Sequence, residues 1–493
     1  MNLADLLSDT AREQPGKAAL VGASAGFKVT FAELDREADR VAGAVSALGI
    51  GPGERVAIGM HNTPFFAYAY FGILRAGAVV VPLNIMLTES ETAAILRDSG
   101  ARAVISGGPF LAVAERAAAD AEAVEQVFAI EAWGQLGSNA APRVDISGDD
   151  LAVLAYTSGT TGEPKGVMLS HDNLLANLRQ QMAIAEAQVS EDDVLLLALP
   201  LFHIFGLNVT LGLLVMNGAT GVLMDRFEPV PALRSIVERK VTVLFGAPTM
   251  YAAWVSVPGA DQYDLSSVRL AISGAAPLAT DVLRSFYDLF GVRIYEGYGL
   301  TETAPTLWSN RMTEKPRPGS VGKPLPEVEF RLIDDHGNDV ELGDPGEVVV
   351  KGPNVFKGYW NRPDETERAF FEGWFRTGDV GVLDEDGYLY LVDRKRDLII
   401  VSGFNVFPSE VENALVQNPK VADAAVVGVP HGYTGEAVKA FVVLEPGAEA
   451  TEAELVADVQ RRLARFKCPS SIEIVPDLPH LLTGKVLRRA LRT

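Results

Sequence analysis

Between Leu151 and Glu302 short apolar runs alternate with helix-like stretches, and this alternation limits the fold more than any other feature of the chain. Residues 151–156 read as a buried strand. A helical stretch at 233–240 leads into a strand at 241–245, then a helix at 249–255. A strand at 268–272 ends at Ser273 and Gly274, a helix at 277–290 is closed by Gly291, and 292–295 form the next strand. Such a pattern predicts an α/β fold of parallel, doubly wound sheets, whose ligands sit at the carboxyl ends of strands. The first 150 residues repeat it, with a strand at 56–58 and a helix at 65–74.

The texture changes near Gly319. Turn clusters at 335–338 and 384–387 separate strand-like runs and predict an antiparallel β module reaching Asp393. A dense charged run, 393–397, precedes a new strand at 398–401. The remaining hundred or so residues alternate strands with two helices, each opening at capping-box spacing, Ser409 with Glu412 and Thr451 with Glu454. At 493 residues the chain exceeds one typical core. The expected organisation is a large N-terminal domain, 1–393, and a small α+β domain, 398–493, joined through 394–397.

Charge and cysteine content exclude several classes. The net charge of −21, from 43 basic against 64 acidic residues, argues against nucleic-acid binding. From Arg461 to Thr493 eight Lys/Arg face two Asp/Glu, a local basic patch that suits a polyanionic small molecule or is simply a solvated face. Cys468 is the only cysteine, which rules out an intrachain disulfide and a thiolate metal cluster and fits a reducing cytoplasm. The first residues lack a secretory pattern. Residues 194–224 carry no Lys, Arg, Asp or Glu, but Pro200, His203, Gly206, Asn208, Asn217 and Gly218 interrupt them, so they read as buried core and no transmembrane segment is expected.

The chemistry concentrates in five segments. Thr157, Ser158, Gly159, Thr160, Thr161, Gly162, Glu163, Pro164, Lys165 and Gly166 follow the 151–156 strand and precede a helix opening at Ser170 with Leu174, Leu175 and Leu178 on one face. Strand, Gly/Ser/Thr loop and helix cradle phosphate: backbone N–H groups and hydroxyls donate, and Lys165 adds a point charge. Pro164 before Lys165 and Gly166 after it exclude the Walker pattern. At 295–303 small residues permit close approach of a flat ring, Tyr298 offers a stacking face, and Glu302 is a carboxylate suited to magnesium. At 374–379 Asp379 follows a tight turn and suits ribose hydroxyls. Arg394 lies in the charged run, and Lys485 on a C-terminal loop. Taken singly, Glu302 and Asp379 are solvated loop acids, Arg394 a surface ion pair and Lys485 an exposed lysine.

Together, in this order and spacing, the segments resemble the adenylate-forming superfamily of acyl-CoA synthetases, non-ribosomal peptide synthetase adenylation domains and firefly-type luciferases, along essentially the whole chain. The resemblance implies a large N-terminal domain, a hinge at 394–397 with Arg396 at the pivot, and a small swivelling C-terminal domain. It implies activation of a carboxylic acid by ATP and Mg2+ through an acyl-adenylate, then capture by coenzyme A. On that resemblance Thr157 to Lys165 hold the β- and γ-phosphates, and Thr161 and Glu302 lie at the magnesium. Gly274, Ala275, Ala276, Tyr298 and Gly299 flank adenine, with Thr301 beside them, while Asp379 and Arg394 hold ribose. Lys485 neutralises charge between the carboxylate and the α-phosphate. Relatives usually carry Asp or Lys where Arg396 stands, and often proline where Leu482 stands.

The segment Leu201, Phe202, His203, Ile204, Phe205 and Gly206 resembles the border of the acyl pocket, with His203 as its gate; as residues alone, these are core aromatics and a satisfied histidine. Amino-acid-activating relatives place an aspartate nearby, and none occurs in 194–224, so an uncharged acyl tail is favoured. Residues 401–408 resemble bacterial fatty-acid ligases. A medium- or long-chain fatty-acid–CoA ligase is therefore the leading expectation. Its rivals are a loader of acyl carrier protein, an aryl-acid–CoA ligase, a luciferase-like oxygenase and a non-catalytic binding protein. A homodimer is compatible with the sequence.

Overall fold

Residues 56–58 and 79–81 are at most 1% exposed, because each of these runs lies inside a sheet covered on both faces. The computed structural model describes residues 1–24, 26–136, 144–158, 164–184, 188–394, 397–401, 404–431, 435–463, 465–480, 486 and 488–491. They divide into two compact units, Met1–Glu329 with Lys351–Gly373, and Phe330–Val350 with Trp374–Thr493.

In the first unit, six strands among the described residues order as Gln126–Ala129, Ala101–Ser106, Arg55–Gly59, Val79–Pro82, Leu151–Ser158 and Pro164–Ser170. All neighbours are parallel except the last two, which form an antiparallel hairpin. A nine-stranded sheet runs Lys323–Pro324, Thr306–Ser309, Ile294–Gly299, Leu270–Ser273, Val243–Gly246, Val194–Leu197, Thr220–Leu223, Ala18–Gly22 and Lys28–Thr30. Its centre is parallel and its edges antiparallel. The α/β expectation holds, with helices Pro64–Arg75, Pro229–Arg239 and Thr280–Phe290 close to their predicted places.

The charge-free stretch is buried core, as expected. Val194–Leu197 and Thr220–Leu223 are strands, and Phe205–Gly212 is a π-helix whose eight residues are all buried. No helix among the described residues is long and apolar enough to cross a membrane.

In the second unit, strands Glu329–Ile333, Gly346–Lys351, Trp374–Leu383 and Leu389–Arg394 lie in one sheet, with the predicted turns at Asp334–Asn338 and Asp384–Tyr388. A second sheet contains Ile399–Val401, Phe404–Val406, Val421–His431, Gly435–Leu444 and Ser471–Ile474. Helices Pro408–Val416 and Glu452–Gln460 are part of this unit. Thr451 and Glu454 form the predicted capping box, but Ser409 and Glu412 do not. The first helix begins two residues earlier, with Phe407 at the cap and Pro408, whose fixed φ suits a first helical position, as its first residue. The Ser409 hydroxyl instead donates to the Val392 carbonyl, and Glu412 accepts from the Val426 N–H at 2.7 Å.

Candidate active site

The Gly/Ser/Thr segment is carried by a hairpin, not by a strand leading straight into a helix. Leu151–Ser158 returns antiparallel as Pro164–Ser170, with Thr157 opposite Lys165, and only then does the helix His171–Met182 start. The return strand is invisible in the sequence because its first residues, Pro164, Lys165 and Gly166, look like loop. Its partner on the other side is distant in sequence: the Met168 N–H donates to the Gly358 carbonyl at 3.0 Å and the Trp360 N–H to the Gly166 carbonyl at 2.8 Å. Gly159, Thr160, Thr161 and Gly162 lie outside the described residues, as does the side chain of Ser158. Thr157 is half-buried at the end of its strand. Lys165, 14% exposed, forms an ion pair with Glu365, and its ammonium lies 5.5 Å from the centre of the Tyr359 ring.

Glu302 sits in the single turn Thr301–Thr303, just beyond the strand Ile294–Gly299. The Tyr359 hydroxyl donates to Glu302 Oε1 at 2.9 Å, and the Phe356 N–H donates to the Glu302 carbonyl at 2.9 Å. The turn is pinned from behind by buried amides. Asn354, wholly buried, donates to the carbonyls of Thr303 at 2.8 Å and Thr306 at 3.2 Å and accepts from Gln180 at 3.2 Å. Asn177 donates to the Thr306 carbonyl at 2.7 Å and accepts the Thr306 N–H at 3.2 Å. Asn173 donates to the carbonyls of Pro353 and Val355 at 2.8 and 2.9 Å. Asn208 reaches the Ala304 carbonyl at 2.8 Å. Buried polar groups of this kind hold one conformation because each unsatisfied partner costs about 1–3 kcal/mol.

The predicted adenine-flanking residues lie at the ends of adjacent parallel strands, Leu270–Ser273 and Ile294–Gly299. Ala275 adopts φ +74° and is exposed, Ala276 is half-buried, and Thr301 is half-buried. Tyr298 is only 8% exposed, its ring 5.8 Å from that of Trp308. The glycines here have a nearer explanation than a flat ligand. A Cβ on Gly299 would collide with the Pro305 carbonyl, and one on Gly274 would sit 3.2 Å from the Phe205 ring. Gly299 is required by the chain's own packing and Gly274 is closely packed, so neither glycine is an independent sign of a ring.

That same Phe205 opens the π-helix, 6.2 Å edge-on from Phe245. His203 Nδ1 accepts the Phe205 N–H at 3.2 Å, and loss of hydration pulls the His203 pKa down to about 4. The imidazole is therefore neutral near pH 7, and the segment presents no fixed charge.

In the second unit, Asp379 does not follow a tight turn. It stands within the strand Trp374–Leu383, whose ladder to Gly346–Lys351 is irregular and where Gly378 takes φ +70°. Asp379 is 5% exposed, and its N–H donates to the Thr377 hydroxyl at 3.1 Å. The backbone register sets Asp379 opposite Arg394, so the two predicted ribose residues share one pair of the ladder. The side chain of Arg394 lies outside the described residues, as do Arg396 and Lys485.

The donors present suit a magnesium ion held partly by substrate. Glu302 supplies a hard oxygen, and no group of three His, Cys, Asp or Glu that could hold a metal occurs among the described residues. One carboxylate completed by substrate phosphates is an ordinary magnesium arrangement, so the residues fit a cation that arrives with ATP. Sequence reasoning missed Tyr359, Glu365, Asn354 and the amides of the helix His171–Met182. The amide spacing, Asn173, Asn177 and Gln181, was the available signal, since it falls on the leucine face.

The AMP-binding enzyme family matches residues 7–360, and the AMP-binding enzyme C-terminal domain matches residues 410–485. The long-chain-fatty-acid–CoA ligase of Bacillus subtilis (strain 168) is 35% identical over 99% of this chain and 94% of its own length. A feruloyl-CoA synthase of an Amycolatopsis species is 39% identical over 95% of this chain and 94% of its own. The crystal structure of ATP-bound MatB from Rhodopseudomonas palustris superposes with a TM-score of 0.90 at 36% identity, covering 100% of this chain and 98% of that one.

Proposed function

The chain belongs to the AMP-binding enzymes and is an AMP-forming acyl-CoA synthetase, and within that activity we propose that its substrate is an uncharged, apolar acid, first of all a medium- or long-chain fatty acid. One observation carries this reading. Residues 194–224 are free of Lys, Arg, Asp and Glu, and the half-buried His203 in their midst is neutral near pH 7. A second carboxylate or an α-ammonium on the substrate finds no counter-charge in this segment, and an uncompensated charge there is costly. A second reading, an aryl acid, is favoured by the Phe205 and Phe245 rings and by the likeness to a feruloyl-CoA synthase.

In this reading a carboxylate oxygen bonds to the α-phosphorus of ATP as the bond to the β-phosphate oxygen breaks, which turns a poor leaving group into AMP. The thiol of coenzyme A then forms the thioester and AMP departs. Thr157 to Lys165 bind the β- and γ-phosphates, with Lys165 exchanging Glu365 for phosphate oxygens. Glu302 and Thr161 hold magnesium, which when bound screens charge gathering on the pyrophosphate. Asp379 and Arg394 take the ribose, and Lys485 offsets the repulsion between carboxylate and α-phosphate. Free coenzyme A is the proposed acceptor.

A panel of acids assayed for pyrophosphate release and thioester formation tests this. Octanoate, palmitate and ferulate rank the two readings, and turnover of dicarboxylates or amino acids alone would overturn both. Thioester formed on an acyl carrier protein but not on coenzyme A would overturn the acceptor.

A further inference from the structure

We propose that Tyr359 is a positioning residue for the cation carboxylate, holding Glu302 in the orientation that meets nucleotide-bound magnesium; this rests on the reading of Glu302 given above. Three observations converge on it. The phenol donates to Glu302 Oε1 at 2.9 Å, a charge-assisted bond that constrains the carboxylate directly. The backbone around Tyr359 is tied to the hairpin that carries Lys165: Tyr359 bridges Val167, and Gly358 and Trp360 bond to Met168 and Gly166. The same segment holds Glu302 a second time, through the Phe356 N–H and the Glu302 carbonyl.

Tyr359 thus joins two groups of opposite charge that must act on one triphosphate. Its hydroxyl fixes the carboxylate, while its ring lies beneath the Lys165 ammonium at 5.5 Å. The Phe356 ring, 5.0 Å away and edge-on, and the Thr366 hydroxyl, which accepts the Tyr359 N–H at 2.9 Å, leave the phenol little freedom. With Oε1 engaged by the phenol, the carboxylate is oriented before the cation arrives, and less side-chain freedom is lost on binding.

The test combines Tyr359→Phe with Glu302→Gln. The Phe variant keeps the ring and its packing, so thermal unfolding should match the wild type within a few degrees. ATP binding is measured by calorimetry across a magnesium series, alongside the magnesium dependence of acid-stimulated ATP–pyrophosphate exchange. Losing a hydrogen bond to a charged group predicts a roughly 5- to 10-fold higher half-saturating magnesium concentration in Tyr359→Phe, with magnesium-free ATP affinity unchanged. In the Glu302→Gln background the same substitution should shift magnesium dependence less than twofold, because the two act as one unit. A wild-type magnesium response in Glu302→Gln overturns the reading of Glu302 and the proposal with it. A shifted response in Glu302→Gln with a wild-type response in Tyr359→Phe overturns the proposal alone, as does full additivity in the double variant.

Discussion

The turn that carries Glu302 and the strand that carries Asp379 are held in opposite ways. Behind Glu302 the chain is pinned by side-chain amides drawn from three distant segments, with Asn177, Asn208 and Asn354 each bonding backbone in 303–306. Asp379 is held by backbone pairing, the ladder that joins Trp374–Leu383 to Leu389–Arg394 from Asp379 opposite Arg394 to Leu383 opposite Leu389, with one register shift between Val380 and Gly381. A ladder distributes its load over many similar bonds, so single side chains matter little to register. An amide network fails at the first missing partner, because every group left behind is buried. The two regions should therefore respond differently to the same loss of stability.

The largest expected effect on the ladder side is functional. Asp379→Asn keeps shape and register while removing the charge proposed to meet ribose, so the KM for ATP should rise roughly 10- to 30-fold with little change in melting temperature. Steady-state kinetics beside thermal unfolding checks this; a collapse in stability with normal ATP affinity would make Asp379 structural.

On the amide side, the helix His171–Met182 adds a pH dependence. His171 is fully buried at the start of the helix that bears Asn173 and Asn177, and its Nδ1 accepts the Leu3 N–H at 3.0 Å. Burial lowers its pKa to about 4, below the value of about 6.5 for an unfolded chain, so the unfolded state takes up the proton first as pH falls. Its contribution is complete above pH 6.5 and is lost between 6.5 and 4, about 3 kcal/mol in all. Denaturant titrations of His171→Gln across that window should show a shallower acid limb than the wild type. An unchanged slope would remove His171 as its source.

The smallest effect is electrostatic and lies on the Glu302 side, at the hairpin strand that carries Lys165. Glu365 pairs with Lys165, so Glu365→Gln should free the ammonium and tighten ATP binding by about two- to fivefold at low ionic strength, with the gain shrinking as salt is raised. Calorimetry at two salt concentrations measures it. Weaker binding in the variant would mean that Glu365 orients Lys165 and does not compete for it.

What was legible in the sequence follows the same division. The apolar run ending in Leu151–Ser158, the Ser170 cap, the turns at Asp334–Asn338 and Asp384–Tyr388, and the Thr451 capping box are local signals, and each appears where its chemistry put it. Pro164–Ser170 was not legible, since its first residues, Pro164, Lys165 and Gly166, look like loop and its strand character comes from pairing with Leu151–Ser158. Asp379 reads as a turn residue because Gly378 precedes it, although the left-handed glycine sits within a strand and not at its end. Tyr359 and Asn354 carry no local signature at all; their partners lie some 50 residues away or more. Ser409 and Glu412 show the converse, a cap spacing overridden because Pro408 starts the helix first.

The claim that amide pins, and not general stability, set the register of the Glu302 turn is tested most directly by acid-dependent ATP–pyrophosphate exchange in Asn354→Leu and Leu389→Ala. Leu389 is wholly buried beside the Asp379 ladder, and its truncation should cost about 2–5 kcal/mol. Asn354→Leu strands the Thr303 carbonyl and the Gln180 amide, while the Thr306 carbonyl keeps Asn177, a loss of similar size, about 2–5 kcal/mol. With each rate corrected to the folded fraction, exchange should fall at least roughly tenfold in Asn354→Leu and stay within about threefold of wild type in Leu389→Ala, since only the first variant leaves buried partners unmet. Equal losses in the two variants would contradict it.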